Sequence, residues 1–203
     1  RGGEVCPFPI AESAASLYNG PRTDLPGRRG VSPILDERML DFISHSDAQT
    51  RRLGARLAAL LRGGEIICLE GELGTGKTCF AQGIGKGLGV EEPIVSPSFT
   101  LIREYATAAS RPKFIHVDLY RLGEDDLPGL GLEEYMNPSC VVVIEWADRM
   151  GAGTPEQRLE VRLRFVDDTK RGLTFVAYGD GHRQLLDAFR QSMFGSGERG
   201  GKR

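Results

Sequence analysis

The sequence has few of the features that mark secreted, zinc-binding or membrane proteins. Its four cysteines form no C-x-x-C pair and no cluster with histidine, so we expect reduced thiols and no zinc site. No run approaches the roughly 18 consecutive apolar residues that a membrane-spanning helix needs. We therefore expect a cytoplasmic protein with no membrane partner.

An excess of positive charge is also missing. The formal net charge is −2 and the isoelectric point is near 6.0, which gives no general attraction to nucleic acid. This balance argues against a protein that binds RNA alone, but it allows a subunit of a larger RNA-modifying assembly.

The 203 residues, 40% of them hydrophobic, suffice for one domain with a tail at each end. Residues 1–38 are rich in glycine and proline and show no periodicity. We interpret them as a disordered tail or, if Met39 is the natural start, as a non-native one. The predicted domain covers residues 39–194, its regular structure is expected from Ser46 onward, and residues 195–203 are predicted to be a flexible basic tail.

A glycine-rich segment is the strongest signal in the chain. Gly71, Gly76, Lys77 and Thr78 occupy the fixed positions of the G-x-x-x-x-G-K-[ST] phosphate-binding loop. Glycines allow successive backbone N–H groups to point at one phosphate, and the helix that begins near Lys77 adds positive charge from its N-terminus. The segment therefore predicts binding of a nucleoside triphosphate. Lys77 is expected on the β- and γ-phosphates and Thr78 on Mg²⁺.

Around this loop, strand patterns alternate with helix patterns. We therefore predict a three-layer α/β fold of the P-loop NTPase type, with a largely parallel central sheet and a C-terminal antiparallel hairpin. Residues 159–165 alternate apolar and charged side chains, which is typical of a half-exposed edge strand. A helix is predicted over residues 124–135. Gly83 and Gly87 are expected to let their helix approach the sheet closely.

Two carboxylates follow predicted strands. Val141-Val142-Val143-Ile144-Glu145 has the pattern of a Walker B strand, whose carboxylate holds Mg²⁺ or polarises water. Asp118 ends another strand and is a candidate for orienting the attacking water, although its position equally suits a capping residue.

Four segments in this order resemble the TsaE family of bacterial ATPases of tRNA threonylcarbamoyladenosine biosynthesis, over roughly residues 42–165. These segments are Gly71-Glu72-Leu73-Gly74-Thr75-Gly76-Lys77-Thr78, Ser96-Pro97-Ser98-Phe99-Thr100, His116-Val117-Asp118-Leu119-Tyr120-Arg121-Leu122 and Ile144-Glu145-Trp146. The resemblance implies an ATP-binding and weakly ATP-hydrolysing subunit. It would support turnover of a TsaD–TsaB complex that modifies adenosine 37 of tRNAs reading ANN codons, with TsaD-like and TsaB-like partners and only indirect contact with tRNA.

The resemblance also implies roles for single residues. Lys77, Asp118 and Glu145 are expected in catalysis, and Thr78 and Glu145 on Mg²⁺. Trp146 is expected beside the nucleotide or a partner, or else as a core anchor. The serine and threonine hydroxyls of Ser96–Thr100 could respond to the γ-phosphate, and Arg103 and Arg121 are candidate arginine fingers. The residues expected to bind ATP are Glu72, Leu73, Gly74, Thr75, Gly76, Lys77, Thr78, Cys79, Asp47, Thr50 and Trp146.

Two other functions use the same loop. A small-molecule kinase needs an acceptor pocket and usually an arginine-bearing lid. A non-hydrolysing nucleotide switch needs neither Asp118 nor Glu145, so their presence favours an ATPase.

Overall fold

The structure is a computed structural model that describes residues 38–123, 126–127 and 129–195. Within these ranges the chain forms seven strands and three α-helices. The strands are β1 (Met39–Ser44), β2 (Ile66–Glu70), β3 (Ile102–Tyr105), β4 (Lys113–Asp118), β5 (Cys140–Glu145), β6 (Arg158–Phe165) and β7 (Arg171–Tyr178), and the helices are α1 (Asp47–Ala58), α2 (Lys77–Gly87) and α3 (Asp180–Phe194). The tail predicted for residues 1–38 lies outside the described residues, apart from Arg38.

All seven described strands belong to one sheet, in the order β1-β7-β6-β2-β5-β4-β3. The four central strands, β6, β2, β5 and β4, run parallel, whereas β3, β7 and β1 pair antiparallel with their neighbours. The predicted α/β fold, its parallel centre and its C-terminal hairpin of β6 and β7 are therefore confirmed. Since β2 lies in the middle of the sheet, the loop that follows it opens at the centre of one sheet edge.

The two faces of the sheet are covered differently, and together they give three layers. Along β2, Ile67 and Leu69 point into a core shared with α1, α2 and α3, whereas Ile66 and Cys68 point into a second core. Two short 3₁₀ helices, Leu132–Tyr135 and Ala147–Gly153, contribute to the second core. Among the described residues, no helix is long and apolar enough to cross a bilayer.

The long helix predicted over residues 124–135 is wrong in its extent. The structure shows a 3₁₀ helix over Leu132–Tyr135 instead, and residues 124, 125 and 128 lie outside the description. Gly129 and Gly131 have φ of 102° and 66°, in the left-handed region that interrupts a right-handed helix. These glycines outweigh the acidic first turn on which the prediction depended.

The prediction that residues 159–165 form an edge strand is also wrong. β6 lies between β2 and β7, and its Glu160 is only 2% exposed. Glu160 contacts Arg158 at 2.8 Å and also pairs with Arg162. These ion pairs let a charged residue be buried at Glu160, whereas Arg162 and Arg164 of the same strand are exposed, as the alternation predicted.

Gly83 and Gly87 of α2 pack against a helix and not against the sheet. A Cβ atom added at Gly83 would lie 2.1 Å from the carbonyl oxygen of Arg51 in α1, and one at Gly87 would also meet α1. Gly85, on the other side of α2, is the glycine that faces the ring of Phe114 in β4. The predicted close approach is therefore real, but it joins α2 to α1.

Strand β1 was missed by the sequence analysis, which expected regular structure only from Ser46. It pairs antiparallel with β7 through residues such as Phe42, opposite Leu173, and Phe42 packs on the helix-covered core. The partner strand lies more than a hundred residues away in sequence, so local patterning carried little information about this pairing.

Candidate functional site

The phosphate-binding loop connects the central strand β2 to α2, as predicted. Gly71 has φ of 136°, and a Cβ atom there would lie 2.2 Å from the carbonyl oxygen of Leu163. Gly76 has φ of 100° and directly precedes α2. A side chain at either position would strain the backbone, so both glycines are needed to bring the chain from the strand to the N-terminus of the helix.

A cleft of about 430 Å³ opens above this loop. It is bordered by the loop, the start of α1 and the carboxyl ends of β4 and β5, together with the segment that precedes β3. Its lining residues are Asp47, Leu73, Gly74, Gly76, Lys77, Thr78, Cys79, Ser96, Ser98, Phe99, Asp118, Tyr120, Arg121 and Glu145.

The amine of Lys77 is held inside the loop. Its Nζ donates to the carbonyl oxygens of Gly71 at 2.6 Å and Glu72 at 2.9 Å, and lies 3.6 Å from the centre of the Trp146 ring. Burial lowers the pKa of Lys77, while Glu145 and Asp118 act in the opposite direction. Lys77 is therefore a largely buried residue whose amine contacts the carbonyl oxygens of the loop and one aromatic ring.

Thr78 and Glu145 meet across the cleft. The Thr78 hydroxyl donates to Oε2 of Glu145 at 3.0 Å. The second carboxylate oxygen, Oε1, lies 2.8 Å from Nε2 of His116. Glu145 ends β5 and is almost fully buried, so its carboxylate is fixed between a helix residue and a strand residue.

Asp118 ends β4 opposite Glu145 in the parallel pair. Its Oδ1 accepts the backbone N–H of Tyr120 at 2.9 Å, a local contact of the capping type. Its Oδ2 accepts the hydroxyl of Ser98 at 2.7 Å and that of Ser96. The Oγ atoms of Ser96 and Ser98 also lie 2.6 Å apart. The carboxylate and the Ser96–Ser98 segment therefore form one hydrogen-bonded unit.

Trp146 follows Glu145 in the left-handed conformation, with φ of 61°. Its ring lies 5.0 Å from that of Tyr120 and packs on the second core. Since Lys77 also contacts this ring, Trp146 connects the core to the cation of the loop.

Comparison with known proteins decides the family. The family model "Threonylcarbamoyl adenosine biosynthesis protein TsaE" matches residues 44–173. The chain belongs to the TsaE family. The resemblance read from the four sequence motifs is thereby confirmed.

Curated members of the TsaE family cover most of the same region. The chain is 35% identical to the tRNA threonylcarbamoyladenosine biosynthesis protein TsaE of Bacillus subtilis over 150 residues, which is 74% of this chain and 93% of the relative. It is 43% identical to the protein of the same name from Streptomyces coelicolor over 136 residues, 64% of this chain and 91% of the relative.

A solved structure agrees with the fold. The crystal structure of Bacillus subtilis YdiB superposes with a TM-score of 0.67 at 30% identity and covers 76% of this chain and 96% of its own. The chain therefore has a P-loop nucleotide-binding fold and belongs to a family of tRNA threonylcarbamoyladenosine biosynthesis.

Most residues that the TsaE resemblance predicted lie together. The predicted catalytic and metal-binding residues all line the cleft, as do Asp47, Leu73, Gly74, Gly76 and Cys79. Four predicted ATP contacts, all described by the structure, are not among the lining residues. They are Glu72, Thr75, Thr50 and Trp146.

Two of these four residues have structural roles in the described contacts. Thr50 is buried, and its hydroxyl lies 2.8 Å from that of Ser44 and contacts the carbonyl oxygen of Ser46. The Thr75 hydroxyl donates to the carbonyl oxygen of Glu72. Of the candidate arginine fingers, Arg121 borders the cleft, whereas Arg103 pairs with Glu92 at 2.7 Å.

Some residues of the cleft were not given a role by the sequence analysis. Tyr120 and Phe99 line it, and Phe99 is 86% exposed with the Arg121 guanidinium 4.5 Å from its ring centre. His116 was quoted only as part of a motif. The two-residue periodicity of a strand puts His116 and Asp118 on one face, and this signal could have placed His116 beside Glu145.

Proposed function

We propose that the cleft binds ATP together with Mg²⁺ and hydrolyses it slowly. The observation that carries this proposal is the 3.0 Å contact between Thr78 and Glu145 beside the buried amine of Lys77. A hydroxyl, a carboxylate and a cation at the start of a helix that follows a glycine loop are the groups that P-loop NTPases use for phosphoryl transfer.

The residues present suit magnesium. Thr78 Oγ1 and Glu145 Oε2 are hard oxygen ligands on the cleft side, and Mg²⁺ commonly takes one or two protein ligands together with phosphates and water. When bound, the ion would neutralise charge that develops on the phosphate oxygens. Glu145 would hold it either directly or through water.

Lys77 and the loop would bind the phosphates. The loop backbone donates N–H groups, and the N-terminus of α2 favours the same negative charge. To reach a phosphate, Lys77 Nζ exchanges its bonds to the carbonyl oxygens of Gly71 and Glu72 for bonds to phosphate oxygens. A phosphate is a charged acceptor, and charge-assisted hydrogen bonds are the stronger kind.

Asp118 would orient the water that attacks the γ-phosphate. Its carboxylate borders the cleft on the strand next to Glu145. The backbone N–H of Tyr120 binds Oδ1 and the serine hydroxyls bind Oδ2, which would also accept the attacking water. A carboxylate fixed in this way can hold a proton from the attacking water, which is the role of a general base.

In the cell, we propose that this hydrolysis supports turnover of a TsaD–TsaB-type complex in the cytoplasm. That complex would transfer the threonylcarbamoyl group to adenosine 37 of tRNAs reading ANN codons. Membership of the TsaE family supports this assignment, and the net charge of −2 suits a subunit that meets tRNA only through its partners.

Hydrolysis and binding of ATP by purified variants test the proposal. We expect Glu145→Ala and Asp118→Asn to lower the hydrolysis rate by about 100-fold or more, while Asp118→Asn retains its affinity for ATP in equilibrium binding. Glu104→Gln is the matched control, since Glu104 is an exposed strand carboxylate that pairs with Lys113 outside the cleft. Equal rates in wild type and Asp118→Asn would contradict the role of Asp118.

A further inference from the structure

His116 is a polar residue at a position where an apolar one would be expected. It lies in the middle of β4, opposite Val143 of β5, and its side chain is fully buried beside the ring of Phe114. Burying an imidazole costs free energy unless its nitrogen atoms find partners. Among the described residues, Nδ1 has no hydrogen-bond partner, so the fold gains little from this nitrogen.

Among the described residues, the hydrogen bond of the His116 ring goes to Glu145. Nε2 lies 2.8 Å from Oε1. A carboxylate that holds a metal ion is ionised and can only accept a hydrogen bond, so Nε2 would be the donor in that state. This bond fixes one oxygen of the carboxylate at the bottom of the cleft. The other oxygen, Oε2, is thereby directed to Thr78 Oγ1.

We propose that His116 is a positioning residue that orients Glu145 for the divalent cation. This inference rests on the proposed function of the cleft. Without the Nε2 bond, the Glu145 side chain could rotate within its buried site, and Oε2 would no longer be held beside Thr78. Hydrogen-bond partners of metal-binding residues act in this way, and their loss commonly weakens metal affinity by about 10- to 100-fold.

Three substitutions separate positioning from core filling. His116→Gln can place an amide N–H near the position of Nε2, because its side chain has a similar reach. His116→Asn is polar but too short, since its amide nitrogen corresponds to Nδ1. His116→Phe fills the space without any donor. Phe114→Leu is the control, since it alters packing next to His116 while Glu145 keeps its bond.

The test measures the affinity of the protein–nucleotide complex for Mn²⁺, which serves as the probe ion. Free Mn²⁺ is quantified by its electron paramagnetic resonance signal. ADP is the nucleotide, and its binding without divalent cation is measured separately. We expect His116→Phe and His116→Asn to weaken Mn²⁺ binding about 10- to 100-fold with little change in cation-free ADP affinity. His116→Gln should stay within about threefold of wild type, and Phe114→Leu should lower only the melting temperature.

Unchanged Mn²⁺ affinity in His116→Phe would overturn the inference, as would equal losses in the Gln and Asn variants. If His116→Phe fails to fold, the comparison of Gln with Asn still decides. If the wild-type protein binds Mn²⁺ and ADP but does not hydrolyse ATP, only the proposed ATPase activity is contradicted. The Mn²⁺ affinities of the variants would still test the role of His116. Wild-type protein that shows no cation-dependent ADP binding would overturn both.

Discussion

At the scale of single residues, the contact between Lys77 and Trp146 should make the fluorescence of Trp146 sensitive to nucleotide binding. The lysine Nζ lies 3.6 Å from the ring centre of the one tryptophan in the sequence. A cation over an indole face is attracted by the ring quadrupole. If Lys77 moves to a phosphate, this attraction is lost and the surroundings of the indole change.

We therefore expect ADP or ATP to change the fluorescence of Trp146 as it binds. In Lys77→Met, which has no cation to withdraw, the change at saturating nucleotide should be clearly smaller. Fluorescence titration, with saturation checked by equilibrium dialysis, measures both. The same change in Lys77→Met as in wild type would mean that Lys77 does not leave the ring.

Between elements, the close packing of α1 on α2 positions the start of α2, where Lys77 and Thr78 lie. Gly83→Ala would place a Cβ atom 2.1 Å from the carbonyl oxygen of Arg51, a backbone atom that can move only with α1. We expect a loss of about 1–3 kcal/mol in the free energy of unfolding, measured by urea denaturation.

The matched control for this prediction is Gly181→Ala in α3, where an added Cβ atom meets nothing within 4 Å. Alanine is favoured over glycine in a helix by up to about 1 kcal/mol, so this variant should be equal to wild type or more stable. Equal stabilities of Gly83→Ala and Gly181→Ala would refute the account of the helix contact.

A second contact between elements depends on pH. His182, near the start of α3, accepts the backbone N–H of Ile66 through Nε2 at 3.3 Å, which requires a neutral ring. Burial lowers the pKa of His182 from its ordinary value of 6.5, while the nearby Glu65 acts in the opposite direction. The folded state disfavours protonation of His182, so the stability that its neutral ring contributes is fully present above pH 6.5. That stability is lost as the pH falls through the lowered pKa of His182.

His182→Leu should therefore be less stable than wild type at pH 7.5, by about 1–3 kcal/mol, because Ile66 loses its acceptor. The difference should shrink as the pH is lowered from 7.5 to 5. Urea denaturation across this range measures it, with His45→Gln, an exposed histidine, as the control. A gap that stays constant with pH would show that His182 does not titrate in this way.

For the whole molecule, local sequence patterns were sufficient to predict the parallel centre of the sheet and most of the residues that line the cleft. The glycine loop and the apolar strand ending in Glu145 each carry their signal within about ten residues, and strand ends on one sheet edge bring them together. The TsaE family follows from the same motifs combined with His116–Leu122.

Two of the features that were missed or mistaken depend on distant strands. The pairing of β1 with β7 joins the two ends of the domain, and β6 is an inner strand because β2 and β7 flank it. Which glycine of α2 faces α1 depends on how the two helices meet. His116 belongs to a motif, but its contact with Glu145, 29 residues away in sequence, appears only in the folded chain.

Turnover of tRNA modification tests the central claim most directly. This protein would be combined with the TsaD and TsaB counterparts of its organism, threonylcarbamoyl donor and an excess of tRNA reading ANN codons, and modified tRNA and released phosphate would be measured together. Wild type, Glu145→Ala and Glu104→Gln would be compared in parallel.

We predict slow ATP hydrolysis by the wild-type protein alone, faster hydrolysis with the partners, and several rounds of modification per complex. Glu145→Ala should abolish the repeated rounds, and Glu104→Gln should preserve them. Repeated rounds of modification without this protein, or a rate of ATP hydrolysis that the partners do not change, would contradict the account.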